Sequence, residues 1–327
     1  MAQIRDVAAR AGVSVASVSR VLAGHRGVRE DIRRRVLDAV KALDYRPDLA
    51  ARRLRSRRTD TIGVIVADIR NPFFTEVSRA VEDVAYHHRM RLILCNTDED
   101  PEREQSCLEL MQDENVSGVI LAPSLDLLSR FRAADYPFPL VLVDRCNPET
   151  VADAVVLDNV EAARVLTSHM IDNGYRRILF LHGASSATGR QRLEGYAAAM
   201  TARGLAPEAV GVAPVADRSR EVARVLLARP TLPDAVLASS GLILLGLAQA
   251  LRDAGRGDVA IAGFDDLPWT RLVEPGLTVI AQPTYDIGRT AAELLLQRIA
   301  DPDSPVRRVV LRGELTVRGS SAASPRA

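Results

Sequence analysis

Ile4-Arg5-Asp6-Val7-Ala8-Ala9-Arg10-Ala11-Gly12-Val13-Ser14-Val15-Ala16-Ser17-Val18-Ser19-Arg20-Val21-Leu22 is the stretch that organises the chain. Ile4, Val7, Ala8 and Ala11 recur at i, i+3, i+4 and i+7, the apolar stripe of a short helix. Gly12 supplies a left-handed residue that ends a helix without a Cβ clash. Ser14 is placed to cap a second helix through its hydroxyl, and Val18, Val21 and Leu22 give that helix its own apolar face. Two short amphipathic helices around a glycine turn fit a helix-turn-helix, whose second helix enters the DNA major groove. The same spacing also fits a helical hairpin inside a larger core. The small size of the segment and its basic surroundings favour the first alternative.

Those surroundings stand out against a chain whose charges nearly cancel, with 43 Lys and Arg against 42 Asp and Glu over 327 residues. Residues 1–60 hold 15 basic and 7 acidic side chains, net +8, and the remainder holds 28 and 35, net −7. A basic head on an acidic body points to a polyanion partner for the head alone. No apolar run follows Met1, and no uncharged apolar stretch reaches the roughly 18 residues a membrane span needs, so a cytoplasmic, non-membrane protein is expected. Cys95, Cys107 and Cys146 are odd in number and lack metal-ligand spacing, so they read as reduced thiols, with no metal and no cofactor expected. His87, His88, His169 and His182 read as structural.

Further along, Ala23–Gly27 reads as a loop and about Arg29 to Leu43 as a third helix. Ile32, Val36, Val40 and Leu43 lie on its inner face and Arg33, Arg34 and Arg35 on its outer face, where phosphates would meet them. The basic run Arg46–Arg58 has good helix formers after Pro47 but is only about two turns long, too short to be stable alone in water. It is either a plain basic linker or a hinge that folds in the minor groove, with a leucine wedged between base steps.

From Thr61 the texture becomes strand–helix alternation. Strands are predicted at Ile62–Val66, Leu92–Cys95, Val119–Leu121, Leu140–Val143, Val155–Leu157, Ile178–Leu181, Val210–Val215, Ala235–Ala238, Val259–Phe264 and Leu277–Ala281. Helices such as Pro72–His88, Glu102–Glu114, Ala162–Asn173 and Tyr285–Ile299 fall between them. Repeated βα units imply parallel sheets with right-handed crossovers, and their number favours two similar lobes. The expected fold is an all-α helix-turn-helix head on an α/β, doubly wound, two-lobed sensor. Its expected divisions are a head at 1–45, a hinge at 46–59 and a sensor at 60–320. Within the sensor, the first lobe takes about 60–159 and 289–318, the second about 160–288, and a frayed tail follows at 321–327.

Ile4–Leu22, Tyr45-Arg46-Pro47, Leu49-Ala50-Ala51-Arg52 and Leu54 together resemble the lactose/galactose repressor (LacI/GalR) family of bacterial transcription regulators. So do Asn71-Pro72-Phe73-Phe74, Cys95-Asn96-Thr97-Asp98, Gly118–Ala122, Gly263-Phe264-Asp265-Asp266 and Gln282-Pro283. The motifs run from about residue 3 to 318 in family order. The resemblance implies a DNA-binding head, a hinge helix and a clamshell sensor like periplasmic sugar-binding proteins. It places Val15 and Ala16 at base-reading positions, where both are limited to apolar contacts such as thymine methyls. Ser14, Ser17, Ser19 and Arg20 would then supply polar and phosphate contacts. Leu54, with Ala51 and Arg55 beside it, would insert at the centre of a palindromic operator. Arg29 replaces a common capping serine, and Asp48 a frequent asparagine.

The same resemblance, to ribose-type members, implies an effector cleft built from Asn71, Phe73, Phe74, Asp144, Arg145, Arg192, Asp265 and Gln282, with Thr188 a secondary candidate. Aromatic faces suit the C–H surface of a sugar, and planar polar groups suit its paired hydroxyls. Phe73 and Phe74 also fit a core role, and Asp144 or Arg145 a lobe-bridging ion pair. Leu157, Ser240 and Gly241 stand where polar groups are usual in such pockets. Hinge pairing implies a homodimer on double-stranded DNA, and the lack of a heptad-bearing helix after Arg318 argues against a tetramer.

Two other classes fit less well. A secreted sugar-binding protein needs a leader and no basic head. A nucleotide-dependent enzyme needs Gly-x-Gly-x-x-Gly after the first strand, where Asp68-Ile69-Arg70-Asn71-Pro72 stands, and no catalytic constellation is evident, so the chain is read as a non-enzyme. Ligand-driven release of DNA and ligand-driven binding both remain open from sequence.

Overall fold

The computed structural model describes residues 3–22, 27–45, 59–147 and 149–322. The chain divides into two units, Met1–Thr59 and Asp60–Ala327.

In the first unit, α1 (Ile4–Ala11), α2 (Val15–Leu22) and α3 (Glu30–Ala42) close on Val7, Ala8, Ala11, Val18, Val21, Val36 and Ala39. Gln3 and Asp6 cap α1 reciprocally, and Gly12 ends it at φ +63°. Ser14 caps α2, its Oγ accepting from the Ser17 N–H at 3.2 Å. Arg29 gives α3 no side-chain cap and pairs with Asp31 instead. One expectation is corrected here. Arg35 does not stand on an outer phosphate-facing row, because its guanidinium donates to the carbonyls of Ala11 (2.5 Å) and Gly12 (3.0 Å). A cation at the C-terminal end of a helix satisfies the orphan carbonyls and the dipole together. Arg33 pairs with Glu30 at 3.6 Å. The expected hinge, with Asp48, Ala51, Leu54 and Arg55, lies outside the described residues, as does most of the loop after Leu22.

The second unit holds two six-stranded sheets. The first runs in the order β11 (Arg308–Leu311), β5 (Asp153–Leu157), β4 (Leu140–Val143), β3 (Val119–Leu121), β1 (Thr61–Val66) and β2 (Arg91–Asn96), all parallel. The second runs β12 (Glu314–Thr316), β10 (Thr278–Ala281), β9 (Ala260–Phe264), β8 (Ala235–Ala238), β6 (Ile178–Gly183) and β7 (Glu208–Val212), parallel except for β12. Helices cover both faces, which is why the inner strands are apolar throughout and not alternating. Close helix pairing needs small residues. In α12 (Thr284–Ala300), a side chain at Gly288 would run into the Val77 carbonyl of α4 (Pro72–His87).

The chain changes sheet three times, and two of these crossings differ from the expected lobe boundaries. α12 packs its Ile287, Ala291 and Leu295 into the first lobe, so that lobe resumes at Thr284 and not at 289. β11 stays there, but β12 pairs antiparallel with β10, Val279 opposite Thr316, so 314–316 belong to the second lobe. Only Arg312 and Gly313 separate these two strands, too short a gap to show as a boundary in composition. β7 also begins earlier than the predicted Val210. The tail is corrected as well. Ser320 and Ser321 are buried: the Ser320 hydroxyl donates to the Ile261 carbonyl (2.6 Å) and accepts from the Thr278 N–H (2.9 Å). Residues 323–327 lie outside the described residues.

Candidate functional site

On the head, the period of α2 sorts its side chains. Val18 and Val21 turn inward, whereas Ser14, Val15, Ala16 and Arg20 are exposed and Ser17 and Ser19 half-buried. Val15 and Ala16 stand exposed side by side at the start of α2, where their side chains offer apolar contact only. The Ser14 and Ser17 hydroxyls lie 2.9 Å apart.

In the second unit, a cavity of about 230 Å³ opens where the C-terminal ends of the two sheets face each other. Asn71, Phe73, Phe74, Asp144, Arg145, Thr188, Arg192, Asp265 and Gln282 all line it. Phe73 and Phe74 meet edge to face, centroids 5.0 Å apart, and are at most 5% exposed. They serve both the first-lobe core and the cleft wall. Asn71 caps α4 through its side chain, Oδ1 accepting from the Phe73 N–H at 3.1 Å.

Arg145 is 4% exposed and forms an ion-pair cluster within the first lobe, not a bridge between lobes. Its Nε donates to Asp144 Oδ2 (2.9 Å), and Nη1 and Nη2 donate to the Glu99 carboxylate at 2.7 and 2.5 Å. Burial alone would lower the guanidinium pKa, but Glu99 and Asp144 outweigh it and hold the group above its ordinary value. Burial pushes the Asp144 carboxyl up, against the opposing pull of Arg145 and Arg192.

Arg192, on α8 (Ala187–Ala202), is held on all sides by neutral groups. Nε donates to Asn159 Oδ1 (2.8 Å), Nη1 to the Ser239 carbonyl (2.5 Å) and Nη2 to Gln282 Oε1 (3.3 Å), with Cζ 4.0 Å above the Phe264 ring. Burial depresses its pKa, with Asp265 and Asp144 opposing. Gln282 Nε2 in turn donates to Asp265 Oδ1 (2.5 Å), and Asp265 Oδ2 accepts from the Gly241 N–H (2.7 Å). Gly241, at the start of α10 (Gly241–Asp253), thus contributes through its backbone. Thr188 bonds the Ser186 hydroxyl at 2.7 Å on the cleft wall. Leu157 is buried in the second-lobe core, away from the cavity, while Ser240 lines it.

Sequence reasoning did not single out Glu99 and Ser239, which line the cavity, or Asn159 and Phe264, which hold Arg192. Glu99 adjoins the quoted Cys95–Asp98 motif and Phe264 precedes Asp265, so adjacency was the available signal. The contacts themselves depend on loop shape.

Residues 3–48 match the bacterial regulatory proteins of the lacI family, and residues 167–321 match the periplasmic binding protein-like domain. The HTH-type transcriptional regulator PtxS of Pseudomonas aeruginosa is 39% identical over 324 residues, covering 97% of this chain and 95% of that protein. The chain belongs to the LacI family. The ribose operon repressor of Halalkalibacterium halodurans is another LacI-family relative, 34% identical over 322 residues and covering 97% of this chain and 96% of that one. Among solved structures, the Lac repressor dimer bound to operator superimposes with TM-score 0.88 at 23% identity, over 98% of this chain and 99% of that one, which shows the shared fold. A LacI-family regulator of Enterococcus faecium with bound ribose gives TM-score 0.72 at 28% identity, over 80% and 99%. LacI-family membership makes the chain a DNA-binding transcriptional repressor under effector control, and not an enzyme. Among the described residues no helix is long and apolar enough to cross a membrane, and no group of His, Cys, Asp or Glu is arranged to hold a metal.

Proposed function

We propose that this protein is a cytoplasmic homodimer that represses a sugar-utilisation operon and is released from a palindromic operator by a small sugar. In this reading residues 1–45 read DNA, 46–59 form the hinge and the second unit senses the effector. Ser14, Val15, Ala16, Ser17, Ser19 and Arg20 contact the operator, with Ala51, Leu54 and Arg55 of the hinge. Asn71, Phe73, Phe74, Asp144, Arg145, Thr188, Arg192, Asp265 and Gln282 hold the effector.

The observation that carries the sensor assignment is the Arg192 arrangement. A buried guanidinium is fixed by three neutral acceptors and a ring, between two aspartates from opposite lobes and opposite two phenylalanines. Such a site offers convergent donors and acceptors beside an apolar face, as a polyhydroxy ligand requires. Ribose bound to the Enterococcus faecium relative, and the name of the Halalkalibacterium halodurans one, support a pentose as the first compound to try.

Ligand alters DNA affinity only through unequal binding to two arrangements of the dimer, typically about 1–3 kcal/mol of coupling. Fluorescence anisotropy with a palindromic duplex tests this. Binding should weaken steeply with salt and weaken again, about 5- to 150-fold, when the effector is added. Binding that ignores salt defeats the DNA assignment, and tightening by effector reverses the proposed sign.

A further inference from the structure

We infer that Glu99 sets the charge selectivity of the cleft, so that the effector is an uncharged polyhydroxy compound and the corresponding sugar acids are excluded. The inference rests on the proposed sugar-sensing role of this cleft and narrows it to one chemical class.

Arg145 is the cation a ligand carboxylate would find most readily on the first-lobe wall, and Glu99 has already taken it. The Glu99 carboxylate spans Nη1 and Nη2, Asp144 takes Nε, and the Pro123 carbonyl accepts from Nη1 as well at 3.3 Å. One guanidinium thus faces two carboxylates, with little of its donor capacity left for a guest. Arg192 bonds only neutral acceptors, but Asp144 and Asp265 already balance its charge across the cavity.

Besides Glu99, Asp144 and Asp265, the cavity is lined by Asp68 and Asp98, against Arg70, Arg145 and Arg192, so it carries two excess negative charges before any ligand enters. An added carboxylate would raise that excess to three, beside the buried Asp144 and Asp265. A hydroxyl avoids this, since it donates to an aspartate and accepts from Arg192 at once. An ammonium would offset the excess, yet it would have to sit beside the unused N–H groups of Arg192.

Glu99 reaches Arg145 because of its loop. Asp98 and Glu99, following β2, both hold left-handed backbone at φ +52° and +60°, and the Glu99 N–H donates to the Ala67 carbonyl at 3.1 Å. Two successive non-glycine residues in that region are uncommon and persist where surroundings impose them.

The test is calorimetric titration of the full chain at neutral pH with D-ribose and D-ribonate, D-glucose and D-gluconate, and D-glucosamine. At least one aldose should bind, and its aldonate should bind about 100-fold more weakly or not at all. In Glu99→Gln, which frees Arg145 from its bidentate partner, that preference should shrink by about tenfold or more. An aldonate or glucosamine binding the unaltered protein as tightly as the aldose overturns the inference and leaves the sugar-sensing role standing. So does an unchanged preference in a folded Glu99→Gln. Failure of every probe to bind removes the sugar-sensing role, and this inference with it. The comparison on the unaltered protein decides the matter even where Glu99→Gln fails to fold.

Discussion

Asp144 and Asp265 occupy matching positions in the two lobes. Each directly follows a central strand, β4 or β9, each is held in left-handed backbone at φ +66° and +75°, and each lines the cleft. Their partners differ. Asp144 answers a guanidinium that Glu99 also holds, whereas Asp265 alone satisfies the buried N–H of Gly241 and one Gln282 donor. Asp265→Ala should therefore destabilise the sensor by about 1–3 kcal/mol, the cost of leaving a buried donor unmet. Asp144→Ala should cost less, because Arg145 keeps Glu99. Urea unfolding of both variants checks the order, and equal losses would contradict it.

Helix packing yields a sharper test. At Gly288 an added Cβ would overlap the Val77 carbonyl and crowd the Ala80 side chain, where neither α4 nor α12 has room to withdraw. Gly288→Ala is expected to lose about 1–3 kcal/mol by overpacking. Gly257→Ala, with no atom within 4 Å of its Cβ, should change stability little. Thermal unfolding distinguishes them.

Much of this was readable beforehand because buried parallel strands leave near-continuous apolar runs and amphipathic helices leave a 3.6-residue stripe. Ligand sites at strand ends follow from the same alternation, so Asp144 and Gln282, each directly after a strand, stand at legible positions, whereas Arg192 lies inside α8. What stayed hidden depends on direction and not on residue type. Arg35 looks like Arg33 and Arg34 in sequence but folds back onto α1. β11 and β12 are absent from the predicted strands because each is only three or four residues long and partly exposed, too short for an apolar run. Ser320 and Ser321 have the composition of a frayed end, yet their hydroxyls answer the backbone of two strands and the side chain of Thr278.

That C-terminal anchor should respond to acid. His169 Nε2 lies 2.8 Å from the Ser321 hydroxyl and 3.1 Å from the Asn173 amide nitrogen, an arrangement that suits a neutral ring. Burial lowers its pKa below the ordinary 6.5, with Asp172 opposing. The unfolded chain therefore binds the proton more readily. The stabilising contribution is complete above pH 6.5 and is lost as pH falls through the folded-state value. His182 shifts the same way, again through burial. His169→Gln keeps a hydrogen-bonding side chain without the titration. Its stability should fall less than that of the unaltered protein as pH drops from about 7 to 5. Parallel curves in denaturant titrations would exclude His169 as a contributor.

On the head, two arginines of equal charge should behave differently. Arg20 is exposed in the last turn of α2, and Arg35 spends its guanidinium on the Ala11 and Gly12 carbonyls. Arg20→Ala removes a group free to meet a phosphate. The slope of log affinity against log salt should then fall by about one, with affinity lost evenly across operator sequences. Arg35→Ala removes a helix cap, which costs the head about 1 kcal/mol. It should weaken binding through loss of folded head and leave the slope nearly unchanged. Parallel measurement of head stability and anisotropy over a salt series separates the two, because only a phosphate contact alters counterion release. A slope that drops in Arg35→Ala as it does in Arg20→Ala would mean that Arg35 leaves α1 for the duplex when DNA is bound.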